Sequence, residues 1–129
     1  MGYRIIEDGI GVSEVERLLK MTYWADKRSA ETIEKSMRNS ACFGIRSDED
    51  GKLIGFARVV TDYATTWYLC DVIIDPDFRH AGLGKALVSH VVSRFAGFRG
   101  ILLTRDAHGL YEQYGFMSGE GRAMIRNPG

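Results

Sequence analysis

The sequence predicts an α+β fold, a mixed and mainly antiparallel sheet flanked by helices. Three observations lead there. Strand-like runs at 42–46, 53–61 and 67–75 follow one another across short turns, as in an antiparallel meander. A long amphipathic stretch, 82–95, then leads into the apolar run Ile101-Leu102-Leu103-Thr104, the pattern of a helix crossing over to a buried parallel strand. Two further helical patterns precede the meander. Grouped strands with helices at both ends bury their apolar faces as a layer of helices on a sheet.

Size and composition narrow the function. A chain of 129 residues suits one domain, spanning 1–129, that buries a core without metals or disulfides. Lys and Arg number 17, and so do Asp and Glu. That balance leaves no basic surface for nucleic acid or membrane, so a small partner is expected. Cys42 and Cys70 sit in apolar stretches without C-x-x-C spacing, which predicts reduced, buried thiols in a cytoplasmic protein and no metal site. No segment approaches the roughly 20 apolar residues of a membrane span, and the first residues carry no targeting pattern.

In chain order, residues 3–6 read as a short strand. Ser13 to Glu16 has the spacing of a capping box, and Val15, Leu18 and Leu19 give the helix that follows one apolar face. Ala30, Ile33 and Met37 recur at helical spacing over 29–37, with Glu31/Lys35 and Glu34/Arg38 as i, i+4 pairs. Asp48-Glu49-Asp50-Gly51 has the chemistry of a hairpin turn between the first two strands of the meander. In the helix over 82–95, Leu83, Leu87, Val91 and Phe95 form the stripe expected against a sheet. Residues 107–114 predict a short helix stopped by Gly115, and 116–125 one or two last strands.

The segment with most chemical content is Arg79-His80-Ala81-Gly82-Leu83-Gly84, between a strand ending in Asp75-Pro76 and the long helix. Glycines let the backbone approach a ligand, and the first turn of a helix offers unpaired N–H groups at the positive end of its dipole. Arg79 adds a charged donor. Such a loop suits a phosphate, although a plain tight turn would use the same residues. A Walker A loop is excluded, because Arg79 stands where its first Gly is needed and Ala86 follows Lys85. A dinucleotide fingerprint is excluded by Leu87 in place of its third Gly.

Arg-x-x-Gly-x-Gly after a strand that ends in proline resembles the GNAT family of N-acetyltransferases. A second segment, Ala107-His108-Gly109-Leu110-Tyr111-Glu112-Gln113-Tyr114-Gly115-Phe116, is similar to that family's Ala-x-x-Leu-Tyr-Glu-Lys-x-Gly-Phe pattern. The resemblance implies a GNAT-like fold and acetyl-CoA as co-substrate. It implies that the amides of Arg79, His80, Ala81, Gly82, Leu83, Gly84 and Lys85 hold the pyrophosphate, and that Val72, Ile73 and Ile74 pair with the pantetheine arm. Tyr111 then faces the sulfur as the acid that protonates the departing thiolate. Two positions depart from the family pattern: His80-Ala81 replaces a frequent Gly-Lys or Gly-Arg, and Thr104 replaces a frequent pantetheine-contacting Asn.

Acetyl transfer to an amine needs an unprotonated nitrogen, a donor to the thioester oxygen and a proton for the leaving sulfur. A phenol with a pKa of about 10 is protonated at neutral pH and can supply the last. For the base, Asp71 on an otherwise apolar strand is one candidate, and a buried structural hydrogen bond is the equal alternative. Asp106 is another, unless it caps the helix after it, and ordered water is a third. His80 and His108 read as ordinary exposed histidines. Trp24, Tyr63, Trp67 and Asp71 are the candidate walls of an acceptor site for a small amine, or for the amine of a peptide or protein. Proteins resembling this one are often homodimers. A non-catalytic acyl-CoA sensor keeps the same loop and is the alternative reading.

Overall fold

The computed structural model describes residues 2–119 and 121–128. Its elements are β1 (Tyr3–Ile6), α1 (Val12–Leu19), α2 (Ala30–Arg38), β2 (Ala41–Ser47), β3 (Leu53–Thr61), β4 (Thr66–Ile74), a 3-10 turn (Pro76–Phe78), α3 (Leu83–Arg94), β5 (Arg99–Leu102) and α4 (His108–Glu112). The strands form one sheet in the order β1-β2-β3-β4-β5, antiparallel except for the parallel β4–β5 pair. This is the mixed sheet that the sequence predicts.

The helices cover both faces. Val15, Leu18, Leu19 and Ile33 from α1 and α2 pack on Leu53, Phe56 and Ile73. Leu83, Leu87, Val91 and Phe95, the predicted stripe of α3, pack on the other face against Phe43, Ile45, Ile54, Val59, Trp67 and Leu69. Alternation along β3 and β4 supplies both clusters, as the period of 2 in a strand requires. Against this second cluster β5 comes so close to Trp67 that a Cβ on Gly100 would lie 2.5 Å from the indole ring.

Three boundaries correct the sequence reading. The first helix begins at Val12 rather than after Ser13: the Gly11 N–H donates to the Glu14 carboxylate at 3.0 Å, so the reach-back acid is Glu14. The last strand run is Arg99–Leu102, and Ile101 and Leu103 are about half exposed, because β5 has β4 on one side and, among the described residues, no strand on the other. Among the described residues of 116–128 there is no strand. Gly119 and Gly121 weaken extended pairing there, and Met117 and Met124 stay exposed, so no alternating face is buried to hold a strand.

Candidate active site

A gap in the sheet forms the centre of the site. The β4–β5 ladder ends at Leu69↔Leu102, whereas the β3–β4 ladder continues to Gly55↔Ile74. The Asp75 N–H donates to the Ile54 carbonyl at 2.8 Å, and Asp75 and Ile73 therefore turn their backbone groups toward β3. By alternation, the N–H and C=O groups of Val72 and Ile74 point to the side that β5 has left. An extended ligand can take up those bonds as an added strand. A bulge in the β3–β4 ladder between Arg58/Val59 and Asp71/Leu69 leaves Cys70 as the extra residue, just beyond the last pair of β4 with β5.

The glycine loop opens beside this gap. Asp75 closes the 3-10 turn by accepting from the Asp77 N–H at 3.0 Å, and the chain then passes through His80 at φ 67° and Gly82 at φ 76°. Both lie in the left-handed region. Gly82 is the N-cap of α3, and the first N–H to find a helical acceptor is Ala86, which bonds the Gly82 carbonyl at 3.1 Å. The amides of Leu83, Gly84 and Lys85 are the orphan donors of the first turn. Arg79, His80, Ala81, Gly82 and Lys85 are exposed, and Leu83 anchors the turn in the core. These features fit an anionic phosphate, held chiefly by backbone.

Tyr111 is carried by α4, one loop beyond β5. It is half-buried against Phe116, with ring centroids 6.0 Å apart, and burial pushes its phenol above the ordinary tyrosine value. Tyr114 fixes this helix to the glycine loop, donating from its hydroxyl to the Lys85 carbonyl at 3.1 Å. Thr104, not Asp106, bonds the start of α4. The Thr104 hydroxyl accepts from the Ala107 N–H at 3.0 Å and closes the turn into α4, the capping role considered for Asp106. Asp106 and His108 are exposed.

Asp71, a candidate base or a buried structural residue by sequence, makes the buried structural bonds. It is 2% exposed, and its Oδ2 accepts from Arg58 Nε at 2.8 Å and from Arg28 Nη1 at 3.0 Å. Arg58 also donates from Nη1 to the Ser40 hydroxyl at 3.1 Å. Burial opposes the Arg58 charge, but the bond to Asp71 and its negative charge outweigh this and hold the guanidinium above its ordinary value. Both guanidiniums bond Oδ2, and Oδ1 has no hydrogen-bond partner among the described residues. Arg28 and Arg58 were missed from sequence. The available signal was Asp71 itself, a carboxylate in an apolar strand that had to have a partner.

The four acceptor candidates are not brought together. Trp67 is buried in the α3-side core, stacked on Phe95 at 5.5 Å and donating from Nε1 to the Phe98 carbonyl at 3.2 Å. It is a core residue, because its ring follows the strand alternation that places Leu69 on the same face. Tyr63 is exposed at the β3–β4 turn, at φ 58°, with its ring 6.3 Å from Phe95. Trp24 is exposed on the α1–α2 connection, and only Asp71, through Arg28, is tied to that connection. A hollow of about 440 Å³ lined by Glu7, Asp8, Glu34, Met37, Cys42 and Tyr63 lies beside β2, away from the glycine loop. The thiols are half-buried, not fully buried, and burial pushes Cys42 up to about 11. No helix among the described residues is long and apolar enough to cross a membrane.

The model of the acetyltransferase (GNAT) family matches residues 12–116. A provisionally assigned acetyltransferase of that family from Xanthomonas campestris pv. campestris superposes with a TM-score of 0.89 at 34% identity, over 99% of this chain and 94% of that one. A provisionally named acetyltransferase of Gibberella zeae is 28% identical over 138 residues, covering 84% of this chain and 78% of its own length. The uncharacterized N-acetyltransferase ycf52 of Pyropia yezoensis is 31% identical over 88 residues, 66% of this chain and 50% of that protein. This chain's match thus spans only half the length of the Pyropia relative.

Proposed function

The chain belongs to the acetyltransferase (GNAT) family, and from that premise we propose that it moves the acetyl group of acetyl-CoA directly to the primary amine of a small acceptor in a ternary complex. The observation that carries this reading is the early end of the β4–β5 ladder at Leu69↔Leu102, beside a helix start with free amides. Such a gap accepts an extended amide-bearing arm, and the helix start accepts its phosphates. A cytoplasmic setting belongs to the same reading.

In this mechanism Gly82 to Lys85 bind the pyrophosphate and the Val72 and Ile74 backbone aligns the pantetheine arm. A backbone N–H in the gap receives the charge that develops on the thioester oxygen. The amine nitrogen bonds to the thioester carbon, the carbon–sulfur bond breaks with its electron pair passing to sulfur, and Tyr111 gives that sulfur its proton. Water takes the proton lost by the amine, and a proton from water restores the Tyr111 phenol. Tyr111 suits the role because burial keeps the phenol protonated well above neutral pH.

Replacing Tyr111 with Phe tests the assignment. Turnover, read as thiol release with a panel of amines, is expected to fall by about 10²-fold or more, while acetyl-CoA affinity stays near wild type. Unchanged turnover removes Tyr111 from the chemistry. Saturable acetyl-CoA binding without amine-dependent thiol release from the wild type would overturn the transferase reading.

A further inference from the structure

We propose that the acceptor carries a carboxylate as well as its amine, and that Arg28, seconded by Arg58, reads that carboxylate. The inference rests on the acetyl-transfer reading for the place of the amine and on separate observations for the place of the anion.

Asp71 is the second residue of β4 beyond the last pair with β5, so it flanks the gap where the thioester would lie. Its side chain falls on the α1/α2 face together with Ile73, opposite to Trp67 and Leu69. Arg28 comes to it from the α1–α2 connection and Arg58 from β3, both bonding Oδ2. Two guanidiniums sharing one carboxylate leave one positive charge, beside the gap, that the cluster does not neutralise. That residual charge matches a monoanion.

The donors also match. Arg28 uses only Nη1 on Asp71, and Arg58 uses Nε and Nη1 on Asp71 and Ser40. Arg28 Nε and Nη2 and Arg58 Nη2 have no partner among the described residues. None of the buried polar side-chain atoms among those residues lacks a partner, so these three nitrogens open to solvent. The Arg28 side chain is 26% exposed and that of Arg58 is 15% exposed, which makes Arg28 the one an acceptor meets first. Planar guanidinium donors fit the two oxygens of a carboxylate, and Asp71 holds the fork in place before the acceptor arrives.

The experiment measures binding to the coenzyme A-loaded protein by calorimetry. The probes are glycine, 3-aminopropanoate and 4-aminobutanoate, each against the n-alkylamine of equal chain length, with 2-aminoethyl phosphate as the competing anion. At one chain length the amino carboxylate is expected to bind at least tenfold more tightly than the plain amine. Arg28→Gln should erase that margin with coenzyme A affinity unchanged and the protein still folded at the assay temperature, and Arg28→Lys should restore part of it. Equal binding of carboxylates and plain amines, tighter binding of the phosphate, or a margin that survives Arg28→Gln would each overturn the proposal. A carboxylate preference without acetylation of any probe would support anion recognition and count against the transfer reading instead.

Discussion

Arg17 crosses from α1 to the end of β4, where its Nη1 donates to Asp75 Oδ2 at 3.0 Å while its Nη2 donates to the Leu53 carbonyl at 2.6 Å. Asp75 is 1% exposed and also accepts from the Asp77 N–H, so the Arg17–Asp75 pair ties α1, β3 and the entrance of the glycine loop together.

This relationship predicts an acid-sensitive contribution to stability. Burial resists the Asp75 charge, but the Asp77 N–H and Arg17 outweigh it and hold the carboxyl below its ordinary value. The folded state therefore binds the proton less readily than the unfolded chain, whose Asp titrates near pH 3.9. The contribution is complete above that pH and is lost as pH falls through the lower folded value. Urea denaturation between pH 7 and pH 2.5 should show Asp75→Asn less stable by about 1–3 kcal/mol at neutral pH, with the difference closing below pH 4. A difference that persists unchanged at the acid end would contradict this origin.

Asp71 makes the contrasting prediction. As an anchor for two arginines it should matter to stability: Asp71→Asn leaves both guanidiniums short of a counter-charge and is expected to cost about 2–4 kcal/mol. With water as the proposed base, the substitution should leave the shape of the pH–rate profile alone. Loss of an acidic limb from that profile, with stability intact, would restore Asp71 as the base.

Two glycines should fail in different ways. Gly82 sits at φ 76° with open space where a Cβ would go, so Gly82→Ala strains only the loop and should cost about 1 kcal/mol. Its effect should appear as weaker coenzyme A binding. Gly100→Ala puts a Cβ against the Trp67 ring, and overpacking there is expected to cost about 1–3 kcal/mol with coenzyme affinity preserved. Thermal melts and calorimetry on both variants separate the two outcomes.

Cys42 should be a sluggish nucleophile. Burial raises its thiol to about 11, and it is the thiolate that reacts. At pH 8 iodoacetamide should modify it on the order of a hundredfold more slowly than a free cysteine of ordinary pKa. Denaturing the protein should abolish that protection, and rapid labelling of the native protein would show that the thiol is accessible after all.

Local chemistry made much of the molecule legible. The stripe Leu83, Leu87, Val91 and Phe95 announced α3 because a helix buries residues at its own period, and the alternating runs announced the meander for the same reason. Gly82 at a helix start marked a loop that only backbone geometry could explain. The tail was misread because apolar residues such as Met124 and Ile125 suit a strand only if a neighbour exists to pair with them. Trp67 was ambiguous from sequence, since an aromatic ring on a strand serves a core or a cleft equally well, and the face it took was set by the ladder.

What the sequence by itself determined was the order of elements up to the helix after Ala107 and the loop at Arg79 to Gly84, because each depends on neighbours along the chain. Tyr111 became the candidate acid through the resemblance of its segment to the family pattern. Only the tertiary structure brought Asp71, Arg28 and Arg58 together. They are separated by 43 and 13 positions from one another through Asp71, and a charge buried at one residue finds its partner wherever the fold brings a counter-charge within hydrogen-bond reach. The gap between β4 and β5 is likewise a property of two strands diverging after Leu69 and Leu102, which neither strand encodes alone.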